Sequence, residues 1–120
     1  MQRVEDKEII LIHEWFSWSY PDYSEHFCHV ANESVRSVYE WKKLLRMGFK
    51  KGFSDIFISV PKNGYAGLFL EHKAKRKNGK WGKLTDEQKN FIESKAKIGY
   101  YACASFGVDD AICKIREYMS

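Results

Sequence analysis

A mixed α/β fold, a small sheet flanked by helices in the order α(β)αββαβα, is what the sequence predicts. Three observations carry it. Two β-branched and aromatic runs, 54–60 (SDIFISV) and 65–73 (YAGLFLEHK), flank Lys62-Asn63-Gly64, and Asn-Gly between such runs is a strong hairpin signal. Thr85-x-x-Gln88 has the spacing of a capping box and opens a helix to 98 that Gly99 closes. A third strand-like run at 100–106 follows, and then a last helix over 108–119. Helices before, between and after the strands make a layered α/β arrangement.

The remaining elements follow in chain order. Residues 4–18 (VEDKEIILIHEWFSW) predict a helix with acids in its first turns, which suits the positive end of the helix dipole, and Pro21-Asp22 ends it. A short strand is expected over 27–30. Asn32 is placed to cap a helix over 33–47, with Gly48 as its stop and a partial apolar stripe from Val35, Val38, Tyr39, Leu44 and Leu45. Residues 74–83 (AKRKNGKWGK), basic and glycine-containing, predict a loop.

At 120 residues the chain suits one domain over 1–120, long enough to bury a real core. An aromatic content of 16% argues against disorder, and no apolar run approaches the length of a membrane span. The first residues, MQRVED, lack an apolar signal core and a cleavage pattern, so a cytoplasmic location is expected. Cys28, Cys103 and Cys113 form no CxxC and no His-paired zinc spacing, which predicts reduced, mostly buried thiols.

Charge is unevenly placed. Residues 1–40 carry eight acids against three bases, and 84–120 carry six against five. The block 41–83 carries twelve bases and only two acids, Asp55 and Glu71. Such a block attracts polyanions, nucleic acid first among them. In the expected hairpin Asp55 and Glu71 are neighbours, because the start of one strand opposes the end of the other. Lys73 shares the face of Glu71, and His72 points to the opposite side. Two carboxylates and an ammonium are what phosphodiester hydrolysis needs. The carboxylates can hold a hard cation, and the lysine can orient or deprotonate water or stabilise developing charge. A cross-strand ion pair accounts for the same D…ExK spacing in structural terms.

Four ordered segments narrow the choice: Gly48-Phe-Lys-Lys-Gly52-Phe-Ser-Asp55, Leu68-Phe-Leu-Glu71-His-Lys73, Leu84-Thr-Asp-Glu-Gln88 and Gly99-Tyr-Tyr-Ala-Cys103. Together they resemble the VRR-NUC domain, a branch of the PD-(D/E)xK nucleases with the restriction-endonuclease-like fold. Tyr20-Pro21 and 32–37 (NESVRS) resemble its small phage and bacterial members, so a bacterial cell or phage-infected host is the expected setting. The resemblance implies a metal-dependent endodeoxyribonuclease acting on structured DNA, similar to Holliday-junction resolvases and homodimeric. Asp55 and Glu71 would bind Mg²⁺ or Mn²⁺ with the His72 backbone carbonyl, and Lys73 would be the catalytic lysine. Gln88 would assist the site, although the capping box also explains it. A first-helix glutamate would complete the metal site: Glu5 in the best alignment, then Glu8, then Glu14. Ser54 stands where the signature has proline. His72 replaces the usual apolar residue, so in the core it would need a hydrogen-bond partner; its other option is to sit near DNA.

Arg36, Lys50, Lys51, Lys75, Arg76, Lys77, Lys80 and Lys83 are expected to meet phosphate, and Trp81 to stack on a base or anchor its loop. His13, His26 and His29 are assigned structural or surface roles. Trp15, Phe16 and Trp18 are assigned to the core or a dimer interface. Two rivals stand beside the resolvase reading: a structure-directed nickase or flap endonuclease, and a non-catalytic nucleic-acid-binding module.

Overall fold

The order of elements is the expected one. The computed structural model describes residues 3–30 and 37–120. Helix α1 (Val4–Ser19) leads through a 3₁₀ turn (Pro21–His26) into strand β1 (Phe27–His29). Helix α2 (Val38–Arg46), strands β2 (Ile56–Ile58) and β3 (Leu68–Lys73), helix α3 (Asp86–Lys97), strand β4 (Tyr101–Phe106) and helix α4 (Val108–Met119) follow. The strands form one sheet in the order β1-β2-β3-β4, antiparallel except for β3 and β4, which run parallel with α3 as their crossover. Asn63 (φ 53°) and Gly64 (φ 84°) turn the hairpin with the paired positive φ values that Asn-Gly tolerates best.

Each face of the sheet buries its own layer. Ile9, Ile12 and Phe16 of α1 and Ala111, Ile115 and Tyr118 of α4 pack on Ile56, Ile58, Leu68 and Leu70. Burying one such aliphatic side chain contributes roughly 1.5–3 kcal/mol, so this layer dominates the driving force. Phe53, Phe57, Phe69, Phe91 and Tyr100 form an aromatic layer on the other face, beneath α3, with Phe57 stacked on Phe69 at 4.4 Å. Period-two alternation along β3 therefore assigns Phe69, Glu71 and Lys73 to the α3 face and Leu68, Leu70 and His72 to the α1–α4 face. The same alternation puts Asp55 and Phe57 on the α3 face.

Several expectations change. The second helix starts at Val38, because Ser37 is extended and its hydroxyl accepts from Glu40 N–H at 3.1 Å; Asn32 and Arg36 lie outside the described residues. No residue of α2 is buried. The strands expected over 54–60 and 65–73 narrow to Ile56–Ile58 and Leu68–Lys73. The loop at 74–83 is a tight ribbon: Lys75 bridges Trp81, Arg76 N–H donates to Lys80 O, and Gly82 N–H donates to Ala74 O. Cys28 and Cys113 are exposed, against the expected burial, because β1 is an edge strand and α4 turns Cys113 outward. Burial pushes the half-buried Cys103 thiol up to about 11, which keeps it protonated. Phe16 is core, but Trp18 is 88% exposed and outside it.

Candidate active site

Beyond the last β2–β3 ladder pair, Ile56↔Leu70, the next pair in register is Asp55 with Glu71. Here β3 runs on alone towards β4, and its end carries the expected trio. Asp55 Oδ2 accepts from His72 N–H at 2.9 Å. Its backbone carbonyl accepts from Val30 N–H at 2.7 Å and faces His29 Nδ1 at 3.0 Å, which fixes the entry to β2. Glu71 is 2% exposed, with Oε2 3.7 Å from Lys73 Nζ. Lys73 is itself buried, and Gly82 lies alongside it and Glu5: a Cβ there would make ordinary contacts, 3.4 Å to Lys73 Cδ and 3.7 Å to Glu5 Oε2.

Glu71 Oε1 is buried and has no hydrogen-bond partner. An unsatisfied carboxylate oxygen in the interior is costly, so this group is under electrostatic stress. Burial first, then the adjoining Asp55 carboxyl, pushes the Glu71 carboxyl up to about 9, with Lys73 opposing the rise and Glu5 adding to it. Two facing carboxyls settle by sharing a proton or by taking a cation between them.

The donor set fits a hard divalent cation. Along an extended strand the N–H and C=O of one residue point to the same neighbour, so the His72 carbonyl faces the same side as its N–H, which is the Asp55 side. Asp55, Glu71 and this carbonyl offer oxygen only, as Mg²⁺ or Mn²⁺ prefers, and Mg²⁺ commonly takes one or two carboxylates and keeps water elsewhere. Among the described residues no group of three or more His, Cys, Asp or Glu side chains is arranged to hold a metal ion.

The other expected residues divide. Glu5 approaches the site, its Oε2 accepting from Ala74 N–H at 3.4 Å. Glu8 lies on the opposite face of β3, where its Oε1 is 2.7 Å from His72 Nε2. Glu14 lines a separate cleft of about 560 Å³ with Asp6, Ile9, Ile10, His13, Phe27 and His29. Gln88 completes the capping box, its Oε1 accepting from Thr85 N–H at 2.9 Å. His72 is fully buried, not at a DNA-facing surface, and its second ring nitrogen is 2.8 Å from Ser105 Oγ. Sequence reasoning names neither Ser105 nor the His29 contact to Asp55; the signal for Ser105 is a core-facing histidine that requires a partner.

Of the expected DNA-contacting residues, Lys50, Arg76, Lys77, Lys80 and Lys83 are exposed. Lys51 lies 3.7 Å from Glu87, which offsets part of its charge. Trp81 packs edge-on against Phe106, with the Lys75 ammonium 5.2 Å from its ring centroid, and keeps 39% of its surface exposed. The Asp55 loop is anchored to α3 at Gly52 (φ +87°), where a Cβ would fall 2.6 Å from the Glu87 carbonyl carbon.

No protein-family model matches the sequence, and no curated protein matches it. A solved structure described as a VRR_NUC domain protein superposes with a TM-score of 0.81 at 27% identity, covering 99% of this chain and 90% of that one. The chain has the fold of a VRR-NUC domain. It has the restriction-endonuclease-like fold, with Asp55, Glu71 and Lys73 gathered at the end of β3. No helix among the described residues is long and apolar enough to cross a membrane.

Proposed function

We propose that this chain is a Mg²⁺- or Mn²⁺-dependent endodeoxyribonuclease that hydrolyses phosphodiester bonds in structured DNA, with four-way junctions as its substrate. The observation that carries the reading is Glu71 Oε1, buried and unpartnered beside Asp55 and within reach of Lys73, in the most basic block of the chain. A pure binding module gains nothing from two carboxylates in that block, since they repel phosphate unless a cation neutralises them.

The division of labour follows from position. Asp55, Glu71 and the His72 carbonyl would hold the cation, with Glu5 completing the set from α1. When bound, the cation supplies charge neutralisation at the scissile phosphate and a water of lowered pKa. Lys73, held against Glu71 by the ion pair, orients the attacking water and offsets charge on the phosphate oxygens. Gln88 contributes through its amide Nε2, its Oε1 being held by the cap. The 74–83 ribbon leaves β3 directly after Lys73, so Lys75, Arg76, Lys77, Lys80 and Lys83 track the backbone beside the scissile bond while Trp81 offers a ring edge for stacking. Lys50 and Lys51 extend the same surface on the Asp55 side.

Two sites on one particle suit a junction, and α1 supports a homodimer. Val4, Leu11 and Trp18 recur every seven residues on one line of the helix and are 54%, 53% and 88% exposed. Its size and its resemblance to small phage and bacterial members support a protein acting in the cytoplasm of a bacterium or phage-infected host.

The test is cleavage of a labelled four-way junction beside linear duplex, nicked duplex and flap DNA, in Mg²⁺, Mn²⁺ or EDTA, with sedimentation alongside. Paired, metal-dependent cuts in the junction by a dimer, lost in Glu71→Ala and Lys73→Ala, are the expected result. Metal-dependent cutting of flaps or nicks instead would make it a structure-directed nickase. Binding without cleavage under either metal would make it a non-catalytic module.

A further inference from the structure

His72 is an anomaly for a buried strand residue. Its ring is completely enclosed, yet both nitrogens are satisfied: Nδ1 at 2.8 Å from Ser105 Oγ and Nε2 at 2.7 Å from Glu8 Oε1. A carboxylate can only accept, so Nε2–H donates to Glu8, and a neutral ring then accepts the Ser105 hydroxyl proton at Nδ1. Ser105 is fully buried as well, opposite His72 in the β3–β4 register. The array therefore links three elements: β4 through Ser105, β3 through His72 and α1 through Glu8.

The link to α1 matters because, apart from the long 3.4 Å hydrogen bond from Ala74 N–H to Glu5 and the Arg116 guanidinium over Trp15, the helix is seated by apolar packing. Ile9, Ile12 and Phe16 seat the helix on the sheet through apolar packing, which is insensitive to a small rotation or slide. Glu8 supplies the directional restraint, and Glu5 lies three residues earlier on the same helix face. Glu5 is the α1 residue that reaches the site, at Ala74 N–H and beside Gly82. Whatever fixes the height and rotation of Glu8 fixes those of Glu5. The same histidine also holds Asp55 through its backbone N–H.

We propose that Glu8, His72 and Ser105 form a positioning strut that sets Glu5 as the third carboxylate towards the cation. The inference rests on the metal-dependent reading of Asp55, Glu71 and Lys73. None of the three strut side chains touches substrate; they act through Glu5 and through the His72 backbone.

Calorimetric titration of the intact protein with Mn²⁺, together with melting in EDTA, tests this. Loss of such an outer partner costs roughly 10–100-fold in metal affinity. Glu8→Ala is expected to weaken Mn²⁺ binding by at least about tenfold. Glu8→Gln retains an acceptor for Nε2–H and should bind nearly as wild type. In a Glu5→Gln background, Glu8→Ala should add almost nothing, since the group it positions has already lost its charge. A Glu8→Ala protein that melts earlier but binds Mn²⁺ normally, or simple additivity with Glu5→Gln, would overturn the strut. If Glu8→Ala fails to fold, Ser105→Ala frees the other end without touching α1, and an unchanged Mn²⁺ affinity there would also overturn it. Wild-type protein that takes up no Mn²⁺ would instead overturn the metal reading on which the strut depends.

Discussion

The two faces of β3 at its C-terminal end hold the same kind of groups and treat them in opposite ways. Glu71, His72 and Lys73 are consecutive and all buried. On the α1–α4 side, His72 has both nitrogens matched to partners about 2.7–2.8 Å away. On the α3 side, Glu71 has a buried oxygen that no donor satisfies, and burial together with the neighbouring Asp55 carboxyl drives it to keep its proton. Satisfied polar groups hold a structure in one arrangement, whereas an unsatisfied buried carboxylate is a cost carried for a ligand. The contrast assigns architecture to one face and chemistry to the other.

The sharpest way to break this contrast is Glu71→Gln. Cleavage should fall by on the order of a thousandfold or more, because a ligand charge is gone. Stability of the metal-free protein should move the other way. The Glu71 carboxyl is raised from the ordinary 4.5 to about 9, so across that window the folded state keeps a proton that the unfolded state releases. The contribution of Glu71 to wild-type stability is therefore fully present below the ordinary carboxyl range and is lost as pH rises towards 9. Melting curves in EDTA should show Glu71→Gln gaining most over wild type at the alkaline end; a gap independent of pH would mean that the carboxyl is not under stress.

The second effect concerns what the α3 face receives. Replacing Lys75, Arg76, Lys77, Lys80 and Lys83 with glutamine should weaken DNA binding by roughly tenfold or more and lower the salt slope by about 0.9 for each phosphate no longer neutralised. Binding across a salt series reads this directly, and an unchanged slope would move the DNA to another surface. Next is Gln88. Gln88→Glu keeps the acceptor for Thr85 N–H, so melting should be unchanged, but it removes the amide donor, and cleavage should drop at least about tenfold. Full activity in that variant would leave Gln88 as a cap alone. The smallest effect concerns Ser54, whose buried hydroxyl also has no partner. Ser54→Ala should stabilise the fold by about 1 kcal/mol and leave cleavage alone, as measured by denaturant unfolding.

Much of this arrangement is legible in the sequence where the determinants are local. The Asn63-Gly64 turn, the Thr85–Gln88 cap and the alternation that sends Glu71 and Lys73 one way and His72 the other depend on residues a few positions apart. The exact pairing of Asp55 with Glu71 does not follow from the turn: continued from the Lys62↔Tyr65 bridge the register would set Asp55 opposite His72, and a one-residue offset between turn and strands brings Glu71 there instead. What else does not follow depends on distant contacts. Ser105 and His72 meet only through the parallel register of β3 and β4, and Glu8 joins them only through the docking of α1. A buried histidine announces that it needs partners without naming them. Glycines and lysines give 74–83 the composition of a loop, whereas the Lys75–Trp81 bridge and the Ala74–Gly82 hydrogen bond close it into a ribbon. The cap at Ser37 escapes a local reading because Asn32 is an equally good candidate.

Gly52 carries a consequence for how this chain can change over time. It brings the Asp55 loop against the first turn of α3 with no side chain between them, since even a methyl group would overlap the Glu87 carbonyl. Two segments separated by more than thirty residues of sequence are thereby joined backbone to backbone. Neither can drift alone: a larger residue at 52 would demand a displaced helix, and a displaced helix would carry Gln88 with it. Descendants of this sequence are free to rewrite the lysines of the ribbon one at a time, but they inherit the loop and the helix start as a single unit.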